Sequence, residues 1–166
     1  RHTPTEIIDL LNAYFERMSE IVFDYDGTLD KFIGDALMAL WGAPIATEND
    51  RLNATLAAVR MQQAMREFNV EAEAIVGEGI GVGIGIDSGM VVAGMMGSSK
   101  TMNYTVIGSH VNRSARLCSA AGAGEICVSQ PIWDAVQDRV HGIPLEPLTL
   151  KGIAKPVSVY KITEEK

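Results

Sequence analysis

Apolar residues recur with two different periods along this chain, and the alternation lays out its elements. Ile7, Ile8, Leu11, Tyr14, Phe15, Met18 and Val22 follow the helical period. Thr3-Pro4-Thr5-Glu6 precedes them as a capping box with proline at the first helical position. A helix to about residue 23 is therefore expected. The stretch Leu29 to Gly42, LDKFIGDALMALWG, reads instead as two short strands, Leu29–Ile33 and Ala36–Trp41. Gly34-Asp35 joins them, because a glycine opening a two-residue loop suits the twist of a hairpin.

Beyond Gly42-Ala43-Pro44, Asn49-Asp50 can cap a second helix that turns Leu52, Leu56, Val59, Met61, Met65 and Phe68 inward. Glu71–Glu78 reads as a solvated acidic loop. From Gly79, glycines alternate with Ile80, Val82, Ile84 and Ile86, the period of a strand with one apolar and one bare face. Neither GxxxxGK(S/T) nor a strand-to-helix GxGxxG is present, so the bare face is expected to admit another backbone rather than a phosphate. Asp87-Ser88-Gly89 would turn this strand into a second one through Met95. Ser98–Asn103 reads as a loop and Tyr104–Ile107 as a short extended piece. Ser109 would cap a third helix with Val111, Ala115 and Cys118 inward, ended by Gly122-Ala123-Gly124. A strand over Glu125–Ser129, a short helix over Pro131–Val136 and strands through Leu145–Leu150 and Val157–Ile162 complete the chain. Hairpins between helices imply an α+β domain of ferredoxin-like type, an antiparallel-rich sheet with helices on one face.

Composition narrows what such a domain does. The 166 residues are 47% hydrophobic and 21% charged, ordinary for one globular domain spanning 1–166. A net charge of −7 argues against nucleic-acid binding or contact with acidic membranes, so a polyphosphate ligand would need a local cationic pocket. Cys118 and Cys127 lack metal-ligand spacing and point to a reduced, cytoplasmic setting. No apolar run approaches the ~20 residues of a membrane span. The chain opens on Arg1-His2 without an initiator Met and is expected to be cut from a longer protein.

Candidate chemistry concentrates in a few places. Lys31 interrupts an otherwise apolar strand and Asp35 sits at the hairpin tip; a charge inside a strand is costly unless it meets a partner or a ligand. Asn112 and Arg116 stand at i and i+4, along one side of the third helix. Lys151 lies where a late strand ends. His2, His110 and His141 form no ligand spacing and read as incidental, and Met90, Met95 and Met96 read as packing in the core or at a dimer surface.

These motifs, from TPTEIIDLLNAYF through DKFIGDALMALWGAP, YTVIG and VNRSAR to LKGIAKPVSVYKI, together resemble the catalytic domains of class III nucleotide cyclases. The resemblance is to the bacterial subgroup of adenylate cyclases with Thr at the second base-contacting position. It implies conversion of ATP to cyclic AMP and pyrophosphate between two catalytic domains of a homodimer. Lys31 and Thr105 would contact adenine; guanylate-forming relatives carry Glu and Cys there. Asp35 would be a metal-binding aspartate in a site that holds two Mg²⁺ or Mn²⁺ ions. Asn112 would orient the ribose, Arg116 would stabilise charge at the α-phosphate, and Lys151 would hold the β- and γ-phosphates. Metal carboxylates and nucleotide contacts come from opposite subunits in the family, so an isolated monomer is expected to be nearly inert. The family's other metal aspartate, on a first strand ahead of the opening helix, is absent from this chain and is expected upstream in the parent protein.

Two other readings compete. IVFDYDGTLDK matches the DxDGTL signature of haloacid dehalogenase-like phosphatases, with Asp24 as nucleophile and Asp26 as acid/base. That chemistry needs Asp24 at the end of a parallel strand. The non-enzymatic alternative is an inactive cyclase-like module for dimerisation or nucleotide sensing.

Overall fold

The computed structural model describes residues 3–77, 79–150, 152 and 154–166. Helix α1 (Pro4–Asp24) starts as its sequence requires: Thr3 Oγ1 accepts from the Glu6 N–H at 3.1 Å, and the Glu6 carboxylate accepts from the Thr3 N–H at 3.3 Å. Its buried stripe is Tyr14, Met18, Ile21 and Val22. Strands β1 (Thr28–Ile33) and β2 (Ala36–Leu40) pair antiparallel around Gly34-Asp35, with Gly34 at φ +60°. That left-handed φ is why glycine opens the turn.

Helix α2 (Asp50–Val76) starts without an Asn49 side-chain cap; the Asp50 carboxylate instead accepts from the Thr47 N–H and hydroxyl at 2.6 and 2.9 Å. It runs past the expected acidic loop. Ala72 is fully buried one turn beyond Phe68, while Glu71 and Glu73 face solvent, so the charges mark an exposed helix face. Gly77, at φ +79°, closes the helix by donating its N–H to Glu73 O.

The glycine-rich run forms a ladder only over β3 (Ile84–Ile86). Ahead of it, α2 side chains satisfy the backbone: Asn69 exchanges two hydrogen bonds with Ile80, and Gln62 donates to Val82 O at 2.8 Å. Strands β4 (Val92–Ser98) and β5 (Thr101–Ile107) form one continuous hairpin around Ser99-Lys100. The expected loop over Ser98–Asn103 is thus mostly strand, since ladder bonds come from backbone and tolerate polar side chains. Nor does β3 pair with β4; it lies parallel to β6 (Ile126–Ser129).

Helix α3 (Ser109–Ala120) is led by Gly108, not capped by Ser109. Its inward side is also rotated from the expected row. Leu117 is buried, with Ser114 and Arg113 partly so, whereas Ala115 and Cys118 are exposed. The reason is the bare glycine face, which lets the α3 backbone itself contact the sheet. A Cβ on Gly85 would lie 2.5 Å from Ser114 O and 2.7 Å from the Leu117 carbonyl carbon, and one on Gly83 would lie 2.7 Å from Ala121 O. Gly85→Ala should therefore cost about 2 kcal/mol or more by overpacking, read as a fall of several degrees in Tm. An unchanged Tm would mean that α3 can lift off the sheet freely.

Helix α4 (Gln130–Val136) and strands β7 (Val140–Pro144) and β8 (Val159–Glu165) follow. The principal sheet has the order β3-β6-β8-β7, antiparallel except for β3 and β6. The strand expected through Leu145–Leu150 shrinks to a single bridge, Leu148 to Val157, and β7 supplies the edge instead. One core joins α1 to α2 through Tyr14, Met18, Met61, Met65 and Phe68; a second joins α2, α4 and the sheet through Val59, Val128, Ile132, Val136 and Ile162. On the other face of the sheet, Leu117 of α3 meets Cys127 and Val159. The result is the expected α+β class, with α3 added across the sheet from α2.

Candidate active site

The hairpin β1–β2 carries the first group of candidate residues. Asp35 is exposed at its tip and has no hydrogen-bond or ion-pair partner among the described residues. Burial pushes the Tyr14 phenol above its ordinary value, and the Asp35 charge and then Cys118 push it further. Lys31 is 42% exposed at its side chain and stands 3.6 Å from Asp30, whose own side chain is 3% exposed.

The second group sits on α3 and on the strand leading into it. Asn112 and Arg116 share the exposed side of α3, and neither side chain has a partner among the described residues. Thr105 is half-buried on β5, its hydroxyl donating to Asn103 O at 3.3 Å. It faces Gly94 of β4, where a Cβ would meet nothing within 4 Å, so space beside Thr105 is open.

What fixes the start of α3 is a network that the sequence reading passed over. Asp87, whose side chain is fully buried, accepts from Ser88 N–H at 2.8 Å and pairs with His110 Nδ1 at 2.7 Å. Arg113 Nε lies 3.8 Å from the same carboxylate, and Arg51 of α2 donates to Ser88 Oγ at 2.9 Å. His110 is therefore an anchor and not incidental. Its partner lies 23 residues away, so no local spacing announces it.

Several expectations end here. Asp24 is the last residue of a helix and Asp26 sits in a turn at φ +65°, so the phosphatase geometry is absent. Met90, Met95 and Met96 are 90%, 60% and 51% exposed, which removes them from the core. With Val92, Met102, Tyr104 and Ile107 they make the β4–β5 hairpin an exposed apolar surface. Lys151 lies outside the described residues.

Lys31 and Asp35 are brought together on one hairpin, and Asn112 and Arg116 on one helix side. No hydrogen bond or ion pair links the two groups among the described residues. Two cavities, of about 420 and 180 Å³, are lined by other residues, including Asp26, Thr47 and Asp50 in the larger and Gln62 and Arg66 in the smaller.

The chain belongs to the family of adenylate and guanylate cyclase catalytic domains, whose sequence profile matches residues 1–164. It is similar to Adenylate cyclase 1 of Rhizobium meliloti, 28% identical over 162 residues that make up 96% of this chain and 24% of that protein. The chain thus spans about a quarter of the length of the curated relatives it matches. Among solved structures it is similar to the adenylyl cyclase CyaB from P. aeruginosa, with 30% identity and a TM-score of 0.96 over all of this chain and 86% of that one. The guanylyl cyclase Cya2 is 34% identical, with a TM-score of 0.90 over 99% of this chain and 84% of that one. The catalytic core of a rhodopsin-guanylyl cyclase with converted specificity, in complex with ATPαS, is 25% identical with a TM-score of 0.88, over 99% of this chain and 86% of that one.

Cyclases of this family generally use divalent metal ions. An exposed, unpartnered carboxylate such as Asp35 is the hard oxygen donor that Mg²⁺ or Mn²⁺ prefers. It stands alone, however: no three His, Cys, Asp or Glu side chains gather into a metal-binding group among the described residues. Asp35 therefore fits as one ligand and does not make a complete centre. No helix of the described residues is long and apolar enough to cross a membrane.

Proposed function

We propose that this chain is a cytoplasmic adenylate cyclase catalytic domain that converts ATP to 3′,5′-cyclic AMP and pyrophosphate at the interface of a homodimer. The observation that carries the reading is that its candidate polar residues fall into two groups, on the β1–β2 hairpin and on α3, with no hydrogen bond or ion pair joining them among the described residues. Asp35 in one, and Asn112 and Arg116 in the other, are exposed and have no hydrogen-bond or ion-pair partner among the described residues. A second copy, docked through apolar surface such as that of the β4–β5 hairpin, would bring opposite groups together.

The residue chemistry supports each role. Lys31 is a pure donor, and the Thr105 hydroxyl both donates and accepts, which suits the edge of adenine. Asn112 would hold the ribose so that its 3′ oxygen faces the α-phosphorus. The 3′-hydroxyl proton passes to solvent as the O3′–P bond forms and the bond from the α-phosphorus to the β-phosphate oxygen breaks, and pyrophosphate leaves. Charge grows on the phosphoryl oxygens, where the Arg116 guanidinium would be placed to stabilise it. Lys151 would hold the β- and γ-phosphates. Two Mg²⁺ or Mn²⁺ ions, Asp35 supplying one carboxylate ligand, would contribute neutralisation of phosphate charge when bound.

Cyclic AMP formation by the full-length protein with Mn²⁺ tests the proposal. Asp35→Ala should lower it by at least ~100-fold with the fold intact by circular dichroism. Wild-type turnover in that variant would remove Asp35 from the site. ATP binding without turnover by the unsubstituted protein would favour an inactive nucleotide-sensing module.

A further inference from the structure

A bulge in β1 separates Asp30 from the regular ladder: Leu29 pairs with Ala39 and Lys31 with Met38, leaving Asp30 as the extra residue. Bulges of this kind re-aim side chains beside functional positions. Here the bulge buries a carboxylate. The Asp30 side chain is 3% exposed, and its Oδ2 has no hydrogen bond among the described residues. The cation paired with it is Lys31, Nζ to Oδ2 3.6 Å, wider than a hydrogen bond. An unsatisfied buried carboxylate is costly, so Asp30 pulls on that ammonium.

We propose that Asp30 is the positioning residue for Lys31, holding its ammonium so that the outward N–H donors meet the base of a bound purine nucleotide. The proposal rests on the base-reading role given to Lys31 above. Lysine carries its charge on a flexible four-carbon stem, and ordering that stem is a cost paid at binding. A fixed, desolvated carboxylate beside Nζ orders it beforehand, which is preorganisation. Burial also separates Asp30 from Asp35: Oδ2 is closed off from solvent, whereas the Asp35 carboxylate is open to an ion.

The test is a double-mutant cycle in the full-length protein. Asp30→Asn should raise the KM for ATP by about 10-fold, with kcat changed by no more than about 3-fold, and should weaken α,β-methylene-ATP binding to the same degree. Lys31→Met should produce a similar rise, and Asp30→Asn/Lys31→Met should add nothing further. A wild-type KM in Asp30→Asn, or fully additive effects in the double variant, would overturn the proposal. If Asp30→Asn does not fold, the thermal series decides. Lys31→Met alone leaves a buried charge uncompensated and should lower Tm by several degrees, and the double variant should regain most of it. A Lys31→Met protein with wild-type Tm would overturn the pairing. A Lys31→Met protein that binds α,β-methylene-ATP as tightly as wild type would overturn the base-reading role itself, whatever its Tm.

Discussion

Mixing Asp35→Ala chains with Arg116→Ala chains should restore cyclic AMP formation that neither protein has alone. Each variant by itself loses one group from both sites of the dimer, and turnover should fall by at least ~100-fold. In a mixed dimer both lesions can fall in one site. The other site then combines Asp35 of one protomer with Arg116 of its mate and is whole. With random pairing half the dimers are mixed and each carries one intact site, so the recovered activity should be about a quarter of wild type. The measurement is turnover of a denatured and co-refolded, or co-expressed, mixture against each variant alone. Mixtures no more active than their components would show that both residues serve a site within one chain, and the dimeric reading would fall. The reading makes this prediction because Asp35 stands on the β1–β2 hairpin and Arg116 on α3, with no bond between those groups among the described residues.

Lys31→Glu combined with Thr105→Cys should reduce kcat/KM for ATP by about 10²-fold or more and introduce measurable use of GTP. Lys31 offers only donors to a base edge and Glu only acceptors, so the exchange leaves adenine facing groups it cannot pair with. Buried polar groups without partners discriminate far more strongly than a change of size does. Thr105 lies opposite Gly94 with open space beside it, so Cys is accommodated there. Glu in place of Lys31, by contrast, sets a second carboxylate beside buried Asp30 and should also lower Tm. Competition between ATP and GTP in one reaction is the cleanest readout, since it cancels differences in active fraction. An unchanged ATP:GTP ratio would detach both residues from base recognition. Adenylyl and guanylyl cyclases both stand among the similar structures, so the family assignment alone leaves this ratio open.

Local sequence determined those features whose causes are local. The Thr3-Glu6 capping box, the Gly34-Asp35 turn, the bare glycine face and the Asn112/Arg116 side of a helix each depend on residues a few positions apart, and each formed where the pattern put it. Several boundaries failed for the complementary reason. The end of α2 depends on Ala72 reaching the α1–α2 core, and the inward side of α3 depends on backbone contact with glycines that have no side chain to betray it. The β4–β5 ladder runs through polar residues that resemble a loop, because backbone bonds are blind to side-chain polarity.

The candidate site divides along the same line. Residue types and motif order named Lys31, Asp35, Thr105, Asn112 and Arg116 before any fold was in hand. Only the tertiary structure buried Asp30 beside Lys31 and joined Asp87 to His110 across 23 residues. Sequence carries side-chain chemistry and local backbone preference; burial and long-range pairing arise only when distant elements pack, and they decide which charges are held in place and which stay open to a ligand.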